Sequence, residues 1–275
     1  MRLATLRTPG GTTAARLDGD DYVLLDAADV TDLLTQPFWR DAAAADGRRA
    51  PVADAQIAQL VRPAKTVCVG LNYRSHIEEM GRPLPEHPTL FAKFAEVLTG
   101  AYDDIVVPEA VAGQLDWEAE LGVVVGRAVR GASPDEAREA IAGYTVVNDV
   151  SARDLQWRTT QWFAGKHLEA STPVGPVLVT PDDLDDAADL AIRCEVDGTV
   201  MQDARTCDLL FRPADVVAYV SQFLTLLPGD LVATGTPGGV AAARDDKPFL
   251  RDGQVVTVTV EGIGSCRNVV RVGRS

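Results

Sequence analysis

The chain has 275 residues, 46% of them hydrophobic, enough to bury a sizeable core and to exclude a disordered tail protein. Its 40 acidic side chains against 26 basic ones leave a formal net charge of -14, a field that repels phosphate backbones and anionic lipid heads. Nucleic acid and membrane surfaces are therefore not expected partners, whereas a small anionic substrate is allowed, because a bound divalent cation inverts the field locally.

The N-terminal stretch interrupts its apolar residues with Arg2 and Arg7, and no apolar run approaches the length of a membrane span, so a cytoplasmic protein is expected. Residues 1–62 read as a small N-terminal α+β domain. Its strands are separated by a Pro9-Gly10-Gly11 turn and an Asp18-Gly19-Asp20 turn, and short helical pieces rich in alanine and aspartate follow. Pro63 blocks helix continuation just before an apolar strand from Thr66 to Val69, which places the start of a larger domain, 63–275, at that point. The four cysteines, Cys68, Cys194, Cys207 and Cys266, form no CxxC pair and suggest neither a zinc cage nor a redox motif.

The larger domain is strand-rich. Ser133-Pro134-Asp135-Glu136 is a capping box with proline at the first helical position, and it predicts a helix through Ile141. Asp197-Gly198 predicts a hairpin turn, because both central positions of that turn need positive φ. A second helix is expected from Pro213 to Leu226, stopped by Pro228-Gly229. Val256, Val258 and Val260 alternate with threonines as in a half-buried strand. The fold class is α+β, mostly β, without a regular βαβ array.

Several short segments could carry chemistry. In Asp116-Trp117-Glu118-Ala119-Glu120-Leu121, period-two geometry puts Glu118 and Glu120 on one face of an apolar strand; the segment is either a solvated strand edge or half of a cation site. The apolar run Gly143 to Asn148 delivers Asp149 at its end. Three carboxylates without a nearby Cys or His suit a hard ion such as Mg²⁺ or Mn²⁺. In Asn72-Tyr73-Arg74-Ser75-His76-Ile77-Glu78-Glu79, a helix would set His76 and Glu79 three residues apart on one face, as a general base with its orienting partner or as an exposed pair. His87 lies between prolines and is a weaker candidate, as is His167. Lys166, beside Gly165, could reach a substrate carboxylate or a developing enolate, or be an ordinary solvated lysine. Thr234-Gly235-Thr236-Pro237 is a glycine loop without the Gly-Lys-Ser/Thr ending of a phosphate loop, though its amides and Thr236 could hold a carboxylate.

Taken in order over residues 65 to 270, these motifs resemble the fumarylacetoacetate hydrolase family. Gly70, Asn72, Tyr73, His76 and Glu79 match its Gly-x-Asn-Tyr-x-x-His-x-x-Glu pattern; Glu118, Glu120 and Leu121 match Glu-x-Glu-Leu. Asn148, Asp149, Ser151, Ala152, Arg153, Asp154 and Gln156 match Asn-Asp-x-Ser-Ala-Arg-Asp-x-Gln, and Gly165-Lys166 and Thr234 to Pro237 complete the set. Phe94 after Lys93 and Trp117 before the glutamates depart from the family's common proline and histidine. The resemblance implies a mixed β-sandwich roll with a small N-terminal domain, Mg²⁺ or Mn²⁺ held by Glu118, Glu120 and Asp149, and a homodimer. It further implies substrate contacts from Arg153, Gln156, Lys166 and Thr236, and a lid carrying His76 and Glu79. The expected reaction is hydrolysis of a carbon–carbon bond in an acylpyruvate-type substrate, with His76 activating water and Lys166 stabilising the pyruvate enolate. Decarboxylation or isomerisation of oxaloacetate or a hydroxymuconate-type diacid shares that enolate and is the alternative. A noncatalytic protein binding metal and carboxylate is the more distant one.

Overall fold

The computed structural model describes residues 1–79 and 81–273, with the Glu79 side chain outside the described set. The turns expected near the N-terminus join β1 (Arg2–Thr8), β2 (Gly11–Asp18) and β3 (Asp21–Leu24) into an antiparallel meander, to which β4 (Arg49–Pro51) adds. Next come β5 (Thr66–Gly70), β6 (Thr89–Lys93), β7 (Leu98–Gly100), β8 (Ile105–Pro108) and β9 (Leu115–Asp116). The central strands are β10 (Ala119–Val125), β11 (Ile141–Asn148), β12 (Ser151–Ala152) and β13 (Thr172–Val179). The chain closes with β14 (Ala191–Val196), β15 (Thr199–Arg205), β16 (Leu231–Ala233), β17 (Val255–Val260) and β18 (Gly264–Gly273).

One sheet runs in the order β4-β3-β2-β1-β13-β11-β10-β16-β5-β6, with β7 also on β13, and a second runs β15-β14-β17-β18-β8. The large sheet is mixed: β16–β5 and β7–β13 are parallel in an otherwise antiparallel array. It does not break at the boundary expected after Arg62, because β1 pairs with β13. The fold is thus mostly β, as expected.

Strands β10, β11 and β13 are buried along their whole length. Leu121, Val123 and Val125 belong to the apolar cluster shared with Val256, Val258 and Cys266 of the second sheet. Val124, Ala142, Val147 and Leu178 belong to the opposite cluster, with Val30, Leu33 and Leu34 of the helix Val30–Thr35. Burial on both faces explains the near-continuous valine runs. It also makes any carboxylate set into these strands expensive unless something compensates it.

The helix Pro134–Ala140 carries the expected capping box: Glu136 N donates to Ser133 Oγ at 3.3 Å, and Ser133 N donates to Glu136 Oε2 at 2.9 Å. Asp197 and Gly198 both adopt positive φ, 49° and 78°, between β14 and β15. The helix from Pro213 stops at Ser221, short of the expected Leu226. The Ser221 carbonyl accepts from Gly131 N at 2.7 Å, and Leu226 and Val129 exchange backbone bonds, so this stretch bonds to the 129–132 loop and leaves the helical ladder.

Candidate functional site

Backbone pairing of β10 with β11 builds the site. Asp149 N donates to Glu118 O at 2.9 Å and Glu118 N donates to Asn148 Oδ1 at 3.0 Å, so the start of one strand is stitched to the end of the other. The result is that Glu118, Glu120 and Asp149, all buried, each offer an oxygen within 4.8 Å of the others. Thr234 donates through both N and Oγ1 to Leu121 O, at 3.1 and 2.9 Å, and Gly235 N donates to Glu120 Oε2 at 2.8 Å. Gly235 must be glycine there: its φ is +96°, and a Cβ would lie 2.9 Å from Val69 O.

Asn72 roots the segment above the site. Its Nδ2 donates to Phe211 O at 2.9 Å and Thr234 O at 2.8 Å, while Oδ1 accepts from Phe211 N at 2.8 Å. The helix Arg74–Glu79 begins just beyond, and its Ser75 N donates to Asp208 Oδ2 at 3.1 Å. Helical geometry therefore brings His76 onto the cavity wall. The Glu79 carboxylate lies outside the described residues.

The carboxylates differ in their surroundings. Lys166 Nζ lies 2.5 Å from Glu118 Oε2 and 2.7 Å from Asp149 Oδ2, and Lys93 Nζ contacts Asp149 Oδ1 and donates to Thr172 Oγ1 at 2.8 Å. Burial alone would raise the Asp149 carboxyl, but the two ammonium groups outweigh it and hold the carboxyl below its usual range. Burial likewise opposes the Lys166 charge, yet Asp149 and Glu118 leave its ammonium more firmly protonated than an ordinary lysine. Glu120 has no ion pair among the described residues, only the Gly235 amide; burial, with Asp149 and Glu118 nearby, pushes its carboxyl well up. A buried carboxyl group without an ion pair among the described residues, set beside two carboxylates, fits a hard divalent cation.

Arg153 completes the charged floor. Its Nε donates to Asp116 Oδ2 at 2.8 Å, and Nη1 lies 2.7 Å from Glu118 Oε1 and donates to Gln156 Oε1 at 2.8 Å. Nη2 is buried without a hydrogen-bond partner among the described residues, a donor left over for a ligand. Asp116 also accepts from the amides of Ala241 and Ala242, at 2.8 and 3.0 Å, tying Arg153 to a second stretch of the wall.

The structure gathers His76, Glu118, Glu120, Arg153, Gln156, Lys166 and Thr236 around one cavity of about 470 Å³. Asp149, fully buried, joins them through the carboxylate cluster. Lys166 is only 2% exposed, which removes the solvated-lysine alternative. The other two histidines serve elsewhere: His87 stacks on Tyr219 at 5.9 Å, and His167 stacks on Phe163 at 3.9 Å. Sequence reasoning missed Lys93, Asp116 and Gln202, and it missed the aromatic wall in which Trp162 meets Phe91 edge-on at 5.6 Å. The apolar strand ending in Lys93 was the one available signal; nothing local marks Asp116 or Gln202.

A family model described as fumarylacetoacetate (FAA) hydrolase C-terminal matches residues 65–271. The human protein named oxaloacetate tautomerase FAHD2A, mitochondrial, is 42% identical over 216 residues, 78% of this chain and 68% of that protein. Among solved structures, fumarylacetoacetate hydrolase from Exiguobacterium antarcticum superposes with a TM-score of 0.90 at 31% identity, covering 99% of this chain and 100% of its own. The 5-carboxymethyl-2-hydroxymuconate delta-isomerase from Mycobacterium smegmatis does so with a TM-score of 0.83 at 35% identity, with the same coverage. The motifs, the mixed sheet that unites them and a match over residues 65–271 agree: the chain belongs to the fumarylacetoacetate hydrolase family.

Proposed function

We propose that this protein is a divalent-metal-dependent enzyme, working with Mg²⁺ or Mn²⁺, that interconverts keto and enol forms of a small dicarboxylic 2-keto acid of the oxaloacetate kind. One observation carries this reading: three buried carboxylates, two of them lining the cavity and Asp149 beneath it, converge beside Lys166 and Arg153. Such a floor suits a substrate that brings a carboxylate and develops an enolate oxygen. The names of the human and mycobacterial relatives, a tautomerase and an isomerase, support the same chemistry.

Glu118, Glu120 and Asp149 would hold the ion, which when bound supplies Lewis-acid polarisation of the keto oxygen. Arg153 presents its spare Nη2 hydrogen to the substrate carboxylate, and Gln156 braces the guanidinium from the other side. Lys166 supplies positive charge where the enolate oxygen develops. His76 takes a proton from the carbon next to the keto group and returns it to oxygen, which balances a keto-to-enol conversion without net loss of atoms. Glu79, three residues on in the sequence, is the partner expected to orient that imidazole, its side chain lying outside the described residues. Phe91 and Trp162 make the cavity wall apolar and limit the water that could quench the enolate.

A second reading, hydrolysis of an acylpyruvate, is favoured by size: about 470 Å³ leaves room beyond a four-carbon acid for an acyl tail and a water. Both are tested by following the enol absorbance of oxaloacetate, and pyruvate release from acetylpyruvate and fumarylpyruvate, with and without Mg²⁺ or Mn²⁺. Metal-dependent loss of the enol signal without pyruvate is the expected result; no metal-dependent change on any substrate defeats the assignment. His76→Ala should cut turnover by about 100-fold or more while metal affinity stays level. Undiminished rates in that variant remove His76 from the mechanism.

A further inference from the structure

Gln202 lies on β15 of the second sheet, outside every motif that builds the site, yet it is 1% exposed and reaches the cavity wall. Its Oε1 accepts from Ala119 N at 3.0 Å, between Glu118 and Glu120. Its Nε2 donates to Thr236 Oγ1 at 2.8 Å and to Pro237 O at 2.8 Å. The orientation of this amide is dictated by its neighbours: a backbone N–H can only donate and a backbone carbonyl can only accept, so oxygen faces Ala119 and nitrogen faces the loop. The loop has little freedom to retreat, since a Cβ at Gly239 would lie 2.2 Å from Met201 O on β15.

This fixes the polarity of Thr236. Its oxygen is already taken as an acceptor by Gln202, so its own hydrogen must point to another acceptor. Among the described residues Thr236 donates to no protein group, and it lines the cavity. We propose that Gln202 is a positioning residue that turns the Thr236 hydroxyl into an obligate donor aimed at an anionic oxygen of the substrate, a carboxylate or the enolate. The assignment rests on the keto-acid reading above. A neutral amide does this without adding charge beside the carboxylate cluster, which a lysine or a second carboxylate at residue 202 would disturb.

The test is calorimetric titration of oxalate, a rigid likeness of a pyruvate enolate, into Mn²⁺-loaded protein. Wild type, Gln202→Met, Thr236→Val and the double variant are compared, with Mn²⁺ affinity and thermal melting measured for each. Each single change should weaken oxalate about tenfold, the scale of a hydrogen bond to a charged group. The double variant should lose no more than about twofold beyond Thr236→Val, because the two residues act as one unit. Mn²⁺ affinity should not move. Should Gln202→Met fail to fold, Gln202→Leu carries the same test, removing the donor to Thr236 Oγ1 without adding charge. Its loss should likewise shrink to about twofold or less in the Thr236→Val background. Additive losses, or a Thr236→Val protein that binds oxalate like wild type, overturn the assignment alone. Wild-type protein that binds Mn²⁺ but no oxalate overturns the proposed function and this assignment together.

Discussion

The two sides of the carboxylate cluster are made differently. On one side Asp149 is held by Lys93 and Lys166 together, and its carboxyl sits below its usual range. On the other side Glu120, equally buried on a neighbouring strand, meets a single backbone amide, and its carboxyl is pushed well up. The first side is electrostatically complete within the protein; the second is not. The candidate cation site is thus asymmetric, and the positive charge it lacks among the described residues is the one beside Glu120.

The largest effect that could break this contrast is on stability. Asp149→Asn leaves two buried ammonium groups without their common anion and should destabilise the metal-free protein by about 3–5 kcal/mol, measured by urea unfolding. A variant as stable as wild type would mean that the lysines do not depend on Asp149. Glu120→Gln should behave in the opposite way. It removes a carboxyl group that makes no ion pair among the described residues, so metal-free stability should hold or rise slightly, whereas Mn²⁺ affinity by calorimetry should fall about 100-fold. Equal destabilisation by both substitutions would erase the distinction between the two sides.

Acidity sharpens the contrast further. In the metal-free protein Glu120 keeps its proton to higher pH than a free carboxylic acid does, and an incoming ion must displace it. Metal affinity should therefore tighten as pH rises, by up to about tenfold per unit, until Glu120 ionises unaided. Asp149, already ionised through this range, adds no slope. Flat affinity between about pH 5 and 8 would show that Glu120 is not the proton released.

The three clustered carboxylates were legible because their signals are local. Period two through Glu118-Ala119-Glu120, at the entry to β10, put the two glutamates together, and an apolar run pointed to Asp149 at its end. The polarity of hairpins and caps was equally local, as at Asp197-Gly198 and Ser133-Pro134. What escaped is produced by distant segments meeting. Gln202 reaches the site from another sheet, 83 residues from the Ala119 amide it accepts from, and Asp116 acquires its role from Arg153 and from the Ala241 and Ala242 amides. The helix from Pro213 was read too long for the same reason: the partners that end it, Gly131 and Val129, lie far back in the chain. Period and propensity carry no information about such encounters.

Gly70 was noted as part of a motif, and its reason is spatial. It is absent from the positive-φ residues, yet a Cβ there would fall 2.5 Å from the ring of Trp162. The indole is therefore seated on bare main chain, and a methyl group at residue 70 would have to push the far edge of that ring aside. Because both residues line the cavity, the depth of the chamber at this end is set by how closely one ring can approach the backbone.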